Sequence, residues 1–149
     1  MRNSWVLAEQ AVSVRDGKKA CYPRLTITPR HKTKNGNWVS PRMSINGAMR
    51  QKLGLEATEV IYVRCFYDAM SDFVGFSFFH HAPEGPFTTL RRGQGPRKNT
   101  LFGYARAICE VANLRETIKI TDEELVDRRE FPSGPQWLYA LNRNNKEVK

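Results

Sequence analysis

Residues 91–98 carry four cations and no acid, and this run is the strongest chemical signal in the sequence. Arg and Lys side chains neutralise phosphates, and glycine lets a backbone approach them closely. The run leads into Asn99 and Thr100, which we expect at the start of a helix, where free N–H groups and the helix dipole attract anions. The run lacks the Gly-Lys-Ser/Thr of a P-loop, so it predicts phosphate-backbone binding without nucleotide hydrolysis, although a flexible linker is an alternative. The four cations are Arg91, Arg92, Arg97 and Lys98.

A second basic segment surrounds an Asn-Gly pair that favours a hairpin turn. Arg30, Lys32 and Lys34 lie before this turn, in a position to bind phosphates. A disordered basic hairpin tip is the alternative. Trp38 follows the turn and could either stack on a base or anchor the hairpin in the core, and we favour the core.

The net charge of +9 is distributed unevenly along the chain. Residues 1–55 carry eleven Lys or Arg against two acids, and residues 91–109 carry five against none. The segment between them, residues 56–90, has one cation against five acids. This asymmetry favours a polyanionic partner, either nucleic acid or an acidic protein surface, over a basic surface that serves solubility alone.

The sequence gives no support to an enzyme, a cofactor or a metal site. His80 and His81 are adjacent, so they point to opposite sides of an extended chain and cannot easily share a metal ion. The acids at residues 122–127 are typical of a helix start, where they interact with the dipole. The three cysteines, Cys21, Cys65 and Cys109, show no CxxC spacing, so we expect reduced thiols in a cytosolic protein.

Hydrophobic patterning predicts a single α+β domain over residues 1–142, followed by a polar tail at 143–149. We expect a mainly antiparallel sheet of five to seven strands. A long amphipathic helix at about 100–114 should pack on it, and a short helix at about 46–53 should lie at an edge. Asn46 or Ser44 would cap the short helix, and Gly54 would end it. The long helix is predicted from the spacing of Leu101, Phe102, Ala105, Ile108, Cys109 and Ala112.

Two central strands alternate in period two, with one aromatic face. Such a face with one arginine either stacks bases or lies under a helix, and we favour the covered sheet. The aromatic face comprises Tyr62, Arg64, Phe66, Ser77 and Phe79.

At the N-terminus, the pattern of Ser4 to Val14 is compatible with either a strand or a short helix.

Residues 43–78 contain the order strand, Ile45-x4-Arg50-x2-Leu53-Gly54-Leu55, strand and hairpin. This order resembles the looped-hinge DNA-binding domains of the AbrB and SpoVT type over about 36 of 149 residues. Asn46 stands where that family usually has proline. The resemblance implies DNA binding, with Arg50 at the position of the family's helix arginine, and it allows a homodimer. The chain also resembles small proteins of phages and mobile elements in general character.

Our leading hypothesis is therefore a non-enzymatic nucleic-acid-binding protein that grips the phosphate backbone through two basic loops. The alternative is a phage or mobile-element effector that binds and inhibits a host protein or nucleoprotein complex, such as an anti-defence or anti-CRISPR protein. Since no apolar run is long enough to cross a membrane, we expect a cytoplasmic location and no membrane partner. The candidate contact residues are Arg30, Lys32, Lys34, Arg50, Lys52, Arg91, Arg92, Arg97, Lys98, Asn99 and Thr100.

Overall fold

The main element of the described residues is a nine-stranded antiparallel sheet, curled into half of a barrel. The computed structural model describes residues 22–55, 59–95 and 99–143. Besides the sheet, these ranges contain a separate two-stranded hairpin and two short α-helices. In chain order the elements are β1 (Leu25–Thr28), β2 (His31–Lys32), β3 (Trp38–Val39), β4 (Arg42–Ile45), α1 (Gly47–Lys52), β5 (Val60–Asp68), β6 (Phe73–Phe79), β7 (Thr88–Arg92), β8 (Leu101–Tyr104), α2 (Arg106–Val111), β9 (Ile118–Ile120), a 3-10 helix (Asp122–Glu124), β10 (Val126–Asp127) and β11 (Trp137–Ala140).

The strands lie in the order β10-β11-β6-β5-β7-β8-β4-β1-β9, and β2 pairs only with β3. Every neighbouring pair is antiparallel. Strands β5 and β6 form a long hairpin, whereas β4 joins β8 across more than fifty residues of sequence. Pairing between distant segments therefore builds the half of the sheet that contains β1, β4 and β8.

Each strand of that half presents an apolar inner face to the core, while the outer face is polar on β1 and β4 and aromatic on β8. In β1, Leu25 and Ile27 are fully buried, while Thr26 and Thr28 are half-buried. This alternation follows from the period of two of a strand's side chains. The inner face packs against the apolar sides of α1 and α2 in one continuous core. Its members on the helices and the adjoining segments are Met49, Leu53, Leu55, Ala105, Ile108, Cys109, Ala112 and Leu114.

The prediction of an α+β fold with a long helix at residues 100–114 is wrong. Leu101–Tyr104 forms strand β8, and α2 covers only Arg106–Val111. No helix in the described ranges reaches seven residues. The helical spacing was misleading because Leu101 in the strand and Ala105 after it are buried at positions that a helix would also bury. Pairing with β4 and β7 decides the structure here, and that pairing is not visible in the local pattern.

Helix α1 lies where the short helix was predicted, and its ends have the predicted geometry. The Asn46 side chain accepts a hydrogen bond from the Met49 backbone N–H at 2.9 Å. At the other end, Gly54 has a φ of +75°, and the Leu55 N–H donates to the Arg50 carbonyl at 2.7 Å. This is the Schellman arrangement, in which the residue after the helix has a left-handed backbone conformation. Glycine adopts that conformation without strain. Local capping residues therefore fix both ends of α1.

A buried carboxylate, Asp72, ties the β5–β6 turn to the C-terminal segment. It accepts hydrogen bonds from the Arg143 guanidinium at 2.7 Å and from the Tyr67 hydroxyl at 2.8 Å. Arg143 also donates to the Asn113 carbonyl at 3.0 Å, just beyond α2. The Arg143 hydrogen bond holds the pKa of Asp72 at about 2, and the hydrogen bond to Asp72 raises the pKa of Tyr67. Arg143, which we expected in the polar tail, thus belongs to the folded part.

Three residues other than glycine have a positive φ in the described ranges, and all belong to this region: Asp72, Asn113 and Asn142. Asp and Asn tolerate the left-handed conformation better than most residues, at a small cost. The ion pair and its hydrogen bonds offset that cost. We call the group of Tyr67, Asp72, Asn113 and Arg143 the Asp72 cluster.

Candidate functional site

The two predicted basic loops lie at opposite ends of the same strands. β1 ends at Thr28, whose partner is Arg42 of β4, and Arg42 in turn lies opposite Tyr104 of β8. The β2–β3 hairpin leaves the sheet at this end. The β7–β8 loop leaves at the other end, where Leu101 pairs with Arg92. Three residue steps along a strand, roughly 10 Å, separate the two ends, so the loops do not form one continuous grip at one end of the sheet.

The β7–β8 loop does not precede a helix, so the helix start predicted at Asn99 and Thr100 is wrong, and helix-terminal N–H groups give no reason to expect a phosphate there. Thr100 instead leads into β8, and its carbonyl accepts a hydrogen bond from the Gly93 N–H at 2.8 Å, closing the loop as a hairpin. Arg91 is exposed, and the Arg92 guanidinium lies 3.4 Å from the Glu59 carboxylate. Arg97 and Lys98 lie outside the described residues, as do the predicted strand or helix at Ser4 to Val14 and Cys21.

Arg50 is a structural residue. Only 5% of its surface is exposed, and its guanidinium donates to the Asn99 carbonyl at 3.0 Å and the Leu55 carbonyl at 3.3 Å. A guanidinium that binds backbone carbonyls inside the protein is not available to a phosphate. Lys52, on the same helix, lies 3.8 Å from Asp122 in an exposed ion pair. The described cations near this end of the sheet are therefore largely engaged with the protein itself.

The β2–β3 hairpin presents its aromatic residue to solvent. His31 pairs with Val39 and Lys32 with Trp38, around a turn in which Gly36 has a φ of +87°. Trp38 is 56% exposed, so our expectation that it anchors the hairpin in the core is wrong. The Arg30 guanidinium carbon lies 4.0 Å from the centre of the indole ring, and the Lys32 amine lies 5.7 Å from it. Both are cation–π distances.

A groove of about 630 Å³ separates the base of this hairpin from α2 and the residues after it. Arg30 and Trp38 line one side, and Arg106, Glu110 and Arg115 line the other. This volume is in the range of pockets that hold small ligands. We call it the hairpin groove.

Cations dominate the hairpin groove. Glu110, the one carboxylate among its described lining residues, accepts a hydrogen bond from Arg106 at 3.0 Å, in an exposed pair one helical turn apart. Arg115 is exposed and donates to the Asn113 side chain at 3.1 Å. Arg30, Arg106 and Arg115 together outweigh the one acid, so the groove attracts anions. Arg106 falls on a polar position of the predicted long helix and Arg115 directly follows that helix, but nothing in the sequence placed either of them beside Trp38.

The aromatic face of β5 and β6 is covered by a loop, which corrects the predicted covering helix. Phe87 packs edge-on against Tyr62, with the ring centres 5.4 Å apart. Arg64 donates to the carbonyls of Glu84 and Pro86 and lies over the Phe79 ring. Helix α2 packs against the opposite, inner face. The rings of Tyr62 and Phe79 are therefore occupied by contacts within the protein.

The described residues hold no group of three or more His, Cys, Asp or Glu side chains that could bind a metal ion. His80 and His81 are exposed. Burial raises the pKa of the Cys65 thiol to about 12 and that of Cys109 to about 11, so both are protonated at neutral pH. Neither is an activated nucleophile.

Within the described ranges, no helix is long and apolar enough to span a bilayer. Comparisons with protein-family models, with curated proteins and with solved structures found no match. The resemblance of residues 43–78 to looped-hinge DNA-binding domains therefore stays a prediction.

Proposed function

We propose that this protein is a non-enzymatic nucleic-acid-binding protein whose main contact site is the hairpin groove. The observation that carries the proposal is the exposed Trp38 ring, which has Arg30 at 4.0 Å and faces a groove with two further arginines. Cations bind phosphates, and an exposed indole stacks on a base. Arg106 and Arg115 supply phosphate contacts across the groove from the ring.

The charge of the whole chain supports this proposal. A net charge of +9 draws a polyanion towards the surface, and the uneven distribution of charge gives that attraction a direction. The two cations on the hairpin tip side, Lys32 and Lys34, are exposed and extend the basic surface beyond the groove. The proposal thus keeps Arg30, Lys32 and Lys34 as contacts and adds Trp38 and the two arginines across the groove.

Fluorescence anisotropy with a labelled oligonucleotide of about 20 nucleotides, single-stranded or duplex, tests the proposal. Affinity should fall steeply between about 50 and 200 mM salt, because counterions are released when phosphates are neutralised. Arg30→Gln and Arg115→Gln should each lower the slope of log K against log salt by roughly 0.7 for a single strand or 0.9 for a duplex.

Arg128→Gln is the matched control, because it removes the same charge at β10, on the opposite margin of the sheet. Arg128 stacks on Phe131, with 4.3 Å from its guanidinium carbon to the ring centre, and lies outside the groove. The slope of log K against log salt for the Arg128→Gln variant should equal that of the wild type. Absence of binding to both oligonucleotides at low salt overturns the proposal. Equal effects of Arg30→Gln and Arg128→Gln would show that general charge, not the groove, is responsible.

A further inference from the structure

The outer face of five neighbouring strands, β9, β1, β4, β8 and β7, carries cations, aromatic rings and hydroxyls but no acid. The register and the alternation of burial place these residues on one face. A solvated sheet face ordinarily mixes both charge signs, and the chain has fifteen acids to place. We call this surface the outer platform. Its residues are Thr26, Thr28, Arg42, Ser44, Thr89, Arg91, Phe102, Tyr104 and Lys119.

Two arginine–aromatic pairs lie side by side on the outer platform. Arg42 of β4 is the cross-strand partner of Tyr104 of β8, and Phe102 of β8 is the partner of Arg91 of β7. Tyr104 is 68% exposed, and both arginines are exposed. Residues two apart on one face of a strand are separated by roughly 7 Å, so the two pairs form adjacent rows.

From this arrangement we infer that the outer platform binds single-stranded nucleic acid, with bases stacked on Tyr104 and phosphates at Arg42 and Arg91. The inference rests on the proposed function. It specifies that the bound nucleic acid is single-stranded and where it runs on the protein surface. Unpaired bases can stack on an aromatic ring that stands out of a sheet, whereas the bases of a duplex are already stacked on each other. Thr28, Ser44 and Thr89 add hydroxyls that can donate to phosphate or sugar oxygens.

The path follows the strands from the hairpin end of the sheet to the end where the β7–β8 loop leaves. Arg42 and Tyr104 lie at the end where the β2–β3 hairpin leaves, and Arg91 lies next to the β7–β8 loop. The groove borders α2, which begins directly after β8, so a single strand would pass around this end of the sheet at Tyr104 to run from the groove onto the platform. The two loops are too far apart to form a single binding site at one end of the sheet. A nucleic-acid strand that runs along the sheet from one loop to the other requires this separation.

The test compares single-stranded and duplex oligonucleotides of the same length and sequence in the intact protein. We expect tighter binding of the single strand, and a loss of about tenfold or more of that affinity in Tyr104→Ala, as expected for one lost stacking contact. Tyr104→Phe keeps the ring and should retain wild-type affinity. Arg42→Gln and Arg91→Gln should each reduce the salt slope, while Arg128→Gln should not.

The possible outcomes separate the inference from the proposed function. If both oligonucleotides bind with groove-dependent affinity but Tyr104→Ala and Arg42→Gln behave like Arg128→Gln, the platform inference is wrong and the groove proposal stands. Equal affinity for duplex and single strand, at equal length, also overturns the inference. If neither oligonucleotide binds, both proposals fail. Circular dichroism of each variant shows whether it is folded, and Arg42→Gln, a change at an exposed side chain, keeps the test decisive should Tyr104→Ala unfold.

Discussion

The Arg30 guanidinium stacks on the Trp38 ring at 4.0 Å, which holds an exposed indole in a fixed position at the mouth of a basic groove. A tryptophan that is 56% exposed on a two-stranded hairpin has few contacts to fix its side chain. A cation–π contact at an exposed site contributes about 0.5–1 kcal/mol. The stack therefore gives the ring a preferred orientation, which lowers the entropy lost when a base packs on it.

Nucleic-acid binding should quench the fluorescence of Trp38. A base stacked on the indole removes the ring from solvent and alters its emission, so an oligonucleotide titration should show a saturable decrease. Trp38→Phe should lose that signal and keep part of the affinity, because a phenyl ring still stacks. Trp38→Ala should weaken binding by about 1–3 kcal/mol.

Trp137 provides the internal reference for this measurement. It is buried on β11 beneath the Arg129 guanidinium, whose carbon lies 4.6 Å from the ring centre. Its emission should not respond to the oligonucleotide. The titrations use a Trp5→Phe background, because Trp5 is the third tryptophan of the chain. An unchanged decrease after Trp38→Phe in that background would contradict the stacking role of Trp38.

Arg50 should prove essential for stability and not for binding. Its guanidinium fills a buried position between α1 and the segment before β8, through the carbonyls of Leu55 and Asn99. Arg50→Met keeps most of the side-chain volume but leaves both carbonyls without that donor. We expect a loss of about 2–4 kcal/mol in the free energy of unfolding, measured by urea denaturation.

The oligonucleotide affinity of the folded Arg50→Met protein should equal that of the wild type. A large loss of affinity without a loss of stability would instead restore Arg50 as a contact residue, as the looped-hinge resemblance implies. Lys52→Met, on the exposed side of the same helix, is the matched control and should change stability little, because its ion pair with Asp122 is exposed.

Local signals predicted what local interactions determine. The ends of α1 could be predicted because Asn46 and Gly54 act on groups within a few residues of themselves. The β2–β3 turn could be predicted from Asn35-Gly36 for the same reason. Strand β8 could not, because its conformation depends on pairing with β4, more than fifty residues earlier, and the buried residues around it fit a helical period equally well.

The candidate site shows the same limit. The cations of the hairpin were predictable because they are clustered in the chain. Trp38 was expected in the core, since a tryptophan usually buries its ring, but a hairpin of two short strands outside the main sheet offers no core to enter. Arg106 begins α2 and Arg115 follows it, so the position of α2 brings both to the groove. That position depends on where β8 ends.

Gly103 should tolerate no side chain. A Cβ at this position would overlap the Thr89 carbonyl oxygen and lie 2.5 Å from a methyl carbon of Leu90, both on the neighbouring strand β7. Backbone cannot yield easily in the middle of a sheet, so Gly103→Ala should lower the free energy of unfolding by about 2 kcal/mol or more. Thermal denaturation followed by circular dichroism measures the effect.

Gly47→Ala is the comparison for Gly103→Ala, because its added Cβ would meet the Asn99 side chain at 3.2 Å and could be accommodated by a small movement. Alanine also favours the helix, so this variant should be near neutral or slightly stabilising. If Gly103→Ala is as stable as Gly47→Ala, the close approach of β7 to β8 is not required for the fold.

The Asp72 cluster should make stability depend on pH in the acid range. The pKa of Asp72 is about 2 in the folded protein, held down by the Arg143 hydrogen bond, and 3.8 is its ordinary value. A carboxyl with a depressed folded pKa contributes stability fully above its unfolded pKa and loses it as the pH falls through the folded value. About 2 kcal/mol should therefore be lost between roughly pH 5 and pH 1.

Asp72→Asn removes the charge while keeping a residue that tolerates the positive φ. This variant should be less stable than the wild type at pH 7, and its stability should lack this part of the loss in acid. Urea denaturation at a series of pH values measures both effects, with Glu123→Gln, which removes an exposed carboxylate outside the Asp72 cluster, as the control. An Asp72→Asn protein that loses stability with acid as steeply as the wild type would show that the ion pair with Arg143 does not hold the C-terminal segment in place.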